Sequence, residues 1–163
     1  MIFVTVGTHE QPFDRLVSYI DDLKRDGVIR EDVFIQTGFS TYEPQYCRWS
    51  KLIPYEEMVK NVQEARIVIT HGGPASFIMP LQMGKTPIVV PRQSRFGEHV
   101  NDHQVEFAKA MEQRMGTIIP VLDISDLKET ILSYDQLLTK NSGMQGNNRI
   151  FNEKLQEIVD SMM

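Results

Sequence analysis

The chain has 163 residues, of which 41% are hydrophobic and 24% are charged, a composition typical of one folded domain. This composition excludes a disordered tail, a collagen-like repeat and a small disulfide scaffold. The net charge of −5, without a basic stripe, argues against nucleic acid as a partner, and the single cysteine, Cys47, rules out an intrachain disulfide.

Short apolar runs alternate with amphipathic segments along the chain, which predicts strands and helices in alternation. The predicted strands are residues 2–6, 33–36, 51–54, 67–69, 87–90 and 117–121. The predicted helices run from Pro12 to a stop at Gly27 and over residues 55–64, 74–83, 101–114 and 124–138. Residues 39–49 are predicted as an aromatic-rich loop, residues 139–148 as a flexible loop, and residues 149–163 as a C-terminal helix.

This alternation predicts a single α/β domain over residues 1–163, with a doubly wound, mostly parallel sheet covered by helices on both faces. Ligands bind such sheets at the carboxyl ends of the strands. A functional site is therefore expected in the loops after Val6, Gln36, Ile69 and Val90. No segment reaches the roughly 20 apolar residues that cross a bilayer, and no signal peptide is evident, so a cytoplasmic protein is expected.

The strongest local signal is the segment ITHGGPAS, in which a strand leads into Gly72 and Gly73 and a helix begins at Pro74. The glycines allow a ligand close to the backbone, and free amides with the helix dipole favour an anion such as a diphosphate. A tight turn without a ligand is the alternative. His71 alone is ambiguous, because a histidine at a strand end is often a hydrogen-bonded structural residue.

A second polar cluster, PRQSRFGEHVNDHQ, follows the strand at residues 87–90. Glu98 with Asp102, and His99 with His103, share a helix face if the helix has begun by Glu98. These groups suit recognition of sugar hydroxyls, whereas a solvated helix start is the alternative. A metal site would need a third ligand, such as Glu98 or His71, beside the two histidines, and no metal is predicted.

The turn after the first strand, Gly7-Thr8-His9-Glu10, is expected at the same edge of the sheet. Thr8 could cap the helix, backbone amides could reach a second phosphate oxygen, and His9 or Glu10 could act as a general base. The chain lacks the dinucleotide, P-loop and nucleophile-elbow motifs, which leaves NAD, flavin and hydrolase functions without specific support. It also lacks an Asp-x-Asp metal motif.

Three segments in order, VTVGTHEQPFDRL, VITHGGPASFIMPLQMGKTPIVVPR and FGEHVNDHQVEFA, resemble the C-terminal, donor-binding domain of family 28 glycosyltransferases. The resemblance covers nearly the whole chain. It resembles in particular the short bacterial exopolysaccharide or capsule transferase subunits, which are similar to the catalytic subunit of a two-part eukaryotic UDP-N-acetylglucosamine transferase. It implies a Rossmann-like half of a GT-B enzyme, with the acceptor-binding half supplied by a membrane-attached partner subunit.

The resemblance also implies an activity. The chain would bind a UDP-sugar and transfer a hexose, of the galactose, glucuronic acid or N-acetylglucosamine class, with inversion to a lipid-diphosphate-linked acceptor in exopolysaccharide or capsule biosynthesis. No cofactor or metal is implied, and the partner would recruit the chain to the inner face of the membrane. The alternative is a non-catalytic nucleotide-binding or enhancer subunit. The C-terminal helix would pack on its own domain or dock onto the partner.

Site residues follow from the resemblance by position. Where related transferases place a glutamate on the ribose, this chain has Met79, and Glu98 is the substitute candidate. His71 would stabilise the leaving UDP, while His9, Glu10 or a partner residue would be the base. The diphosphate is assigned to His71, Gly72 and Gly73 with Ser76 nearby, the donor sugar hydroxyls to Asp102, His103 and Gln104, and the phosphates or acceptor to Gly7 and Thr8.

Overall fold

The computed structural model describes residues 1–8, 10–99, 101–115 and 118–141. The strands within these ranges are β1 (Ile2–Thr5), β2 (Val33–Gln36), β3 (Arg48–Ser50), β4 (Ile67–Thr70), β5 (Ile88–Val89) and β6 (Ile119–Pro120). The helices are α1 (Asp14–Arg25), α2 (Tyr55–Glu64), α3 (Pro74–Gln82), α4 (His103–Met115), α5 (Leu127–Leu132) and α6 (Tyr134–Asn141). Short 3-10 turns lie at Ser94–Phe96 and Ile124–Asp126.

The six strands form one sheet in the order β3-β2-β1-β4-β5-β6, and every neighbouring pair is parallel. This arrangement confirms the doubly wound α/β fold predicted from the sequence. Strand order reverses between β1 and β4, where Ile2 pairs with both Val33 and Ile67. At such a switch point the connections leave in opposite directions, so a crevice opens at the carboxyl ends of β1 and β4.

Two helical layers cover the sheet because each buried strand sends successive side chains to opposite faces. On one face, Ile2 and Val4 join a core built with residues of α1, α5 and α6. On the other face, Phe3 packs with residues of α2 and α3. A smaller cluster, which includes Phe77 and Met111, joins α3 to α4. Burial on both faces explains why β1 and β4 consist almost entirely of apolar residues.

The third strand lies earlier in the chain than predicted, at Arg48–Ser50 instead of residues 51–54, so the predicted loop of residues 39–49 ends inside it. β3 is a short, exposed edge strand, which gives it no apolar run for a sequence pattern to detect. None of the described helices has the length and apolar character of a membrane span.

The single helix predicted for residues 124–138 is divided into a 3-10 turn, α5 and α6. The break falls at Ser133, next to Tyr134, whose buried hydroxyl donates to the Thr86 carbonyl at 2.6 Å and anchors the start of α6. α6 continues through Asn141, so residues 139–141 are helical where a loop was predicted. The rest of that loop and the predicted helix of residues 149–163 lie outside the described residues.

Candidate functional site

A cavity of about 460 Å³ opens at the switch point of the sheet, where β1, β2 and β4 end. This volume is within the range of small-molecule sites. Leu52, Ile53 and Met58 form an apolar wall, and polar groups from the strand ends form the rest. Six residues selected from the sequence meet here, namely Gly7, Thr8, His71, Gly73, Ser76 and Gln104.

The imidazole of His71, at the end of β4, lies between two glycines. A Cβ atom added to Gly7 would lie 2.3 Å from His71 Nε2, and one added to Gly73 would lie 2.3 Å from His71 Cε1. Neither position can hold a side chain while the ring stays in place. The two glycines therefore make room for His71, whereas the sequence had suggested that glycine here makes room for a ligand.

Hydrogen bonds fix the tautomer of the neutral His71 ring. The Gly73 N–H donates to Nδ1 at 3.1 Å, so Nδ1 carries no proton and Nε2 donates to Ser76 Oγ at 2.7 Å. Ser76 lines the cavity, and its own hydroxyl proton can be donated to a ligand. Gln104 Oε1 lies 3.4 Å from Nδ1.

Gln104 connects the loop after β4 to the loop after β5. Its Oε1 accepts the N–H of Gly72 at 3.1 Å and the N–H of Arg92 at 3.0 Å. The Gly72 amide is thus directed at Gln104 and the Gly73 amide at His71. The predicted contact of Gly72 and Gly73 with the diphosphate therefore cannot use these two amides as they are bonded here. On the side of α3, the positive end of the helix and the Ser76 hydroxyl remain for an anion.

Gln36, at the end of β2, is a cavity residue that the sequence analysis did not select. Its Oε1 accepts from the Thr5 hydroxyl at 2.6 Å and the Gly7 N–H at 3.2 Å. Its Nε2 donates to the carbonyl oxygens of Gly7 at 3.1 Å and Lys51 at 2.8 Å. Gln36 therefore fixes Gly7 beside His71. The available signal was a polar residue that ends an apolar strand.

Arg92, also not selected from the sequence, is fully buried behind the cavity wall. Its guanidinium donates to the carbonyl oxygens of Val6 and Gln11, both at 2.7 Å, and of Glu98 at 3.1 Å. Burial lowers the pKa of Arg92 to about 10, so it stays protonated at neutral pH. It ties the loop after β1 to the loop after β5 and adds a buried positive charge behind the described lining, which contains no lysine, arginine or carboxylate.

Comparison with known proteins identifies the family of the chain. Residues 1–162 match the family described as the glycosyltransferase family 28 C-terminal domain. The chain belongs to this family. It is also 29% identical over 121 residues to the human UDP-N-acetylglucosamine transferase subunit ALG13, an alignment that covers 69% of this chain and 10% of that protein.

Two solved structures show the same fold as this family 28 domain. A crystal structure of the glycotransferase of kitacinnamycin superposes with a TM-score of 0.59 at 14% identity, covering 99% of this chain and 43% of that one. The glycosyltransferase SnogD from Streptomyces nogalater superposes with a TM-score of 0.57 at 17% identity, covering 96% and 39%. The chain thus has the fold of one half of a GT-B glycosyltransferase, and it spans less than half of each of these structures.

Glu98 does not reach the cavity of this family 28 domain. The residue is 3% exposed, and its carboxylate accepts two hydrogen bonds from Arg15 at 2.9 and 3.0 Å and the Gln93 N–H at 3.1 Å. These bonds hold the carboxylate inside the protein, so the ribose role predicted for Glu98 has no support from its position. Met79 packs against the core cluster of Phe3.

Asp102 and His103 are exposed and do not line the cavity. Asp102 accepts the N–H and the O–H of Ser94, at 2.9 and 3.1 Å, and the backbone bond contributes most to lowering the pKa of Asp102. The helix begins only at His103, after a 3-10 turn, so the predicted helix faces pairing Glu98 with Asp102 and His99 with His103 do not form.

Neither candidate for the general base, His9 or Glu10, is part of the described cavity lining. Glu10 is exposed and is not part of the described lining, and His9 lies outside the described residues. Both stay predictions. Within residues 1–8, 10–99, 101–115 and 118–141, no three histidine, cysteine, aspartate or glutamate side chains are grouped so that they could hold a metal ion.

Proposed function

We propose that the cavity binds a UDP-sugar and that the chain is the catalytic subunit of a split, inverting glycosyltransferase. One observation carries the proposal: His71, Ser76 and the start of α3 converge at the switch point of the sheet. Membership of family 28 supports a transferase, and similarity to a UDP-N-acetylglucosamine transferase subunit supports a UDP-sugar donor.

In this proposal the Ser76 hydroxyl donates to an oxygen of the donor diphosphate while His71 Nε2–H donates to Ser76. The two donors and the positive end of α3 stabilise the negative charge that develops on the leaving UDP. The acceptor hydroxyl oxygen bonds to the anomeric carbon as the bond to the UDP oxygen breaks, which inverts that carbon. The acceptor proton passes to His9, Glu10 or a partner residue.

Of the three residues predicted to bind the donor sugar, Asp102, His103 and Gln104, only Gln104 lines the described cavity, so we assign sugar recognition to it. Its oxygen already accepts two backbone amides, so its Nε2 is the group available to donate to a sugar hydroxyl. We propose to test N-acetylglucosamine first as the transferred hexose, because the human relative is named as a UDP-N-acetylglucosamine transferase subunit. In this proposal the uncharged donors of the lining take the place of the metal that other transferases hold on the diphosphate.

The acceptor half would come from a separate membrane-attached subunit. The human relative is named as a subunit of a transferase, which supports a separate partner. We propose a lipid-diphosphate-linked sugar at the inner membrane face as the acceptor, in exopolysaccharide or capsule biosynthesis. The alternative is a non-catalytic nucleotide-binding or enhancer subunit.

Calorimetric titration with UDP tests donor binding, and transfer assays with the neighbouring gene product and a panel of UDP-sugars test catalysis. We expect Ser76→Ala to weaken UDP binding roughly tenfold and His71→Ala to lower turnover by about a hundredfold, the loss typical of a missing charge-stabilising donor. Ser133→Ala, between α5 and α6, is the matched control and should leave both unchanged.

The outcomes separate the two candidate functions. Absence of UDP binding would overturn the donor site. Binding of UDP without transfer, in the presence of the partner and every donor tested, would instead favour the non-catalytic subunit. Normal turnover by a folded His71→Ala variant would remove His71 from the mechanism.

A further inference from the structure

A second concave surface, of about 210 Å³, lies where β2 and β3 end. We call it the aromatic groove, and its defining residues are Phe39, Tyr42, Glu43, Trp49 and Lys51. Its composition differs from that of the larger cavity, because it combines three aromatic rings with a carboxylate and an ammonium group.

The aromatic groove and the donor cavity are neighbours. Gln36 and Leu52 line the cavity, while the residues bonded to them in the chain, Thr37 and Lys51, line the groove. Gly38 N–H donates to the Lys51 carbonyl at 2.9 Å, which holds the two strand ends together between the sites. A molecule bound in the groove would therefore lie beside a donor bound in the cavity.

The groove exposes aromatic rings to water. Phe39 is 41% exposed and Trp49 is 40% exposed, and the Lys51 ammonium lies 4.8 Å from the centre of the Phe39 ring. Large apolar side chains exposed together around a concave surface are typical of a binding site, since covering them releases water at a gain in free energy.

Residues 39–46, which carry Phe39 and Tyr42, form no helix or strand, yet two aspartates of α1 hold them tightly. Asp14 accepts the N–H of Thr41 at 2.7 Å and of Tyr42 at 2.9 Å, and it also accepts the Thr41 hydroxyl. Asp21 accepts the Tyr42 hydroxyl at 2.6 Å and the N–H groups of residues 45 and 46 at 2.9 and 2.8 Å. The groove is thus ordered before any ligand binds, which lowers the entropy cost of binding.

The chemistry of the groove matches a sugar ring. Flat aromatic faces pack against the C–H face of a pyranose, and the carboxylate of Glu43 and the ammonium of Lys51 can bind its hydroxyls. The volume is below that of a drug-sized site, which suits one ring. We propose that the aromatic groove binds a sugar of the acceptor and holds it beside the donor, an inference that rests on the proposed function.

Trp49 is the single tryptophan of the chain, so its fluorescence reports on the groove directly. The probes are N,N′-diacetylchitobiose and cellobiose, added to the full-length chain without UDP. We expect a saturable change in emission in the millimolar range, and Phe39→Ala should weaken the apparent affinity roughly tenfold. Leu132→Ala, which alters an exposed apolar residue of α5, is the matched control and should titrate like the unmodified chain.

The inference fails if emission does not change with sugar, or if Phe39→Ala titrates like the Leu132→Ala control. A change seen only on addition of the partner subunit would also overturn it, and would assign the rings to a protein interface. Donor binding is scored separately by calorimetry with UDP. Sugar binding without UDP binding would refute the donor site and keep the groove, and the reverse result would keep the donor site alone.

Discussion

Replacement of Gly7 by alanine tests whether the glycines at the cavity exist to accommodate His71. Gly7 has a φ of +77° and Gly84, at the end of α3, has a φ of +78°. A Cβ at Gly7 would lie 2.3 Å from His71 Nε2, whereas a Cβ at Gly84 would have nothing within 4 Å. The two substitutions therefore share one backbone cost and differ in the contact with the ring.

The magnitudes follow from these distances. An alanine in the left-handed region costs about 1–2 kcal/mol at either position. At Gly7 the imidazole must also move by roughly 1 Å, which adds about 1–3 kcal/mol for overpacking and about 1 kcal/mol for the lost bond to Ser76. We expect Gly84→Ala to lose about 1–2 kcal/mol of unfolding free energy and Gly7→Ala about 3–6 kcal/mol.

Urea unfolding followed by circular dichroism measures the stability difference, and UDP titration of the folded variants measures the effect on the site. Displacement of His71 should weaken UDP binding at least tenfold in Gly7→Ala, or about 1.4 kcal/mol, and leave Gly84→Ala unaffected. Equal stability losses and equal UDP affinities in the two variants would show that Gly7 does not hold the ring.

Three further predictions concern buried polar groups. Gln104→Leu leaves two buried amides without an acceptor and should lower the free energy of unfolding in urea by about 2–4 kcal/mol. The control Gln113→Leu, on the exposed side of α4, should lower it by less than about 0.5 kcal/mol. Similar losses in the two variants would contradict this prediction. Burial alone would raise the pKa of Asp21, but hydrogen bonds from two amides and a tyrosine hydroxyl outweigh it and lower the pKa. Ionised Asp21 thus stabilises the fold above about pH 4, and this stabilisation is lost as the pH falls through the folded-state pKa. The free energy of unfolding of Asp21→Asn should therefore depend less on pH below about 4 than that of the unmodified chain. Parallel pH profiles of the two proteins would refute this. Burial, together with the neighbouring Asp21 carboxylate, raises the pKa of Cys47 to about 12. At pH 8 its reaction with a thiol reagent should therefore be roughly a thousandfold slower in the folded chain than in the chain unfolded in urea. Comparable rates would disprove this.

The sequence predicted the elements whose pattern is strong. The apolar runs at β1 and β4 are recognisable because every residue of these strands is buried, and the helix of residues 55–64 follows from the helical period of Met58, Val59 and Val62. The edge strand β3 was misplaced because an exposed strand has no such period. The break at Ser133 was missed because the anchor of the next helix is a carbonyl 48 residues away in the chain.

For the candidate site, too, some features could be predicted from the sequence and others depended on the tertiary structure. The amino-acid sequence by itself determined the fold class and family, and it placed His71, Ser76 and Gln104 at one edge of the sheet, since motifs and strand ends are local features. Only the tertiary structure decided how these groups are used, because hydrogen bonds between distant segments are not local. It turned the Gly72 and Gly73 amides inward, held Glu98 away from the cavity and placed Arg92 behind its wall.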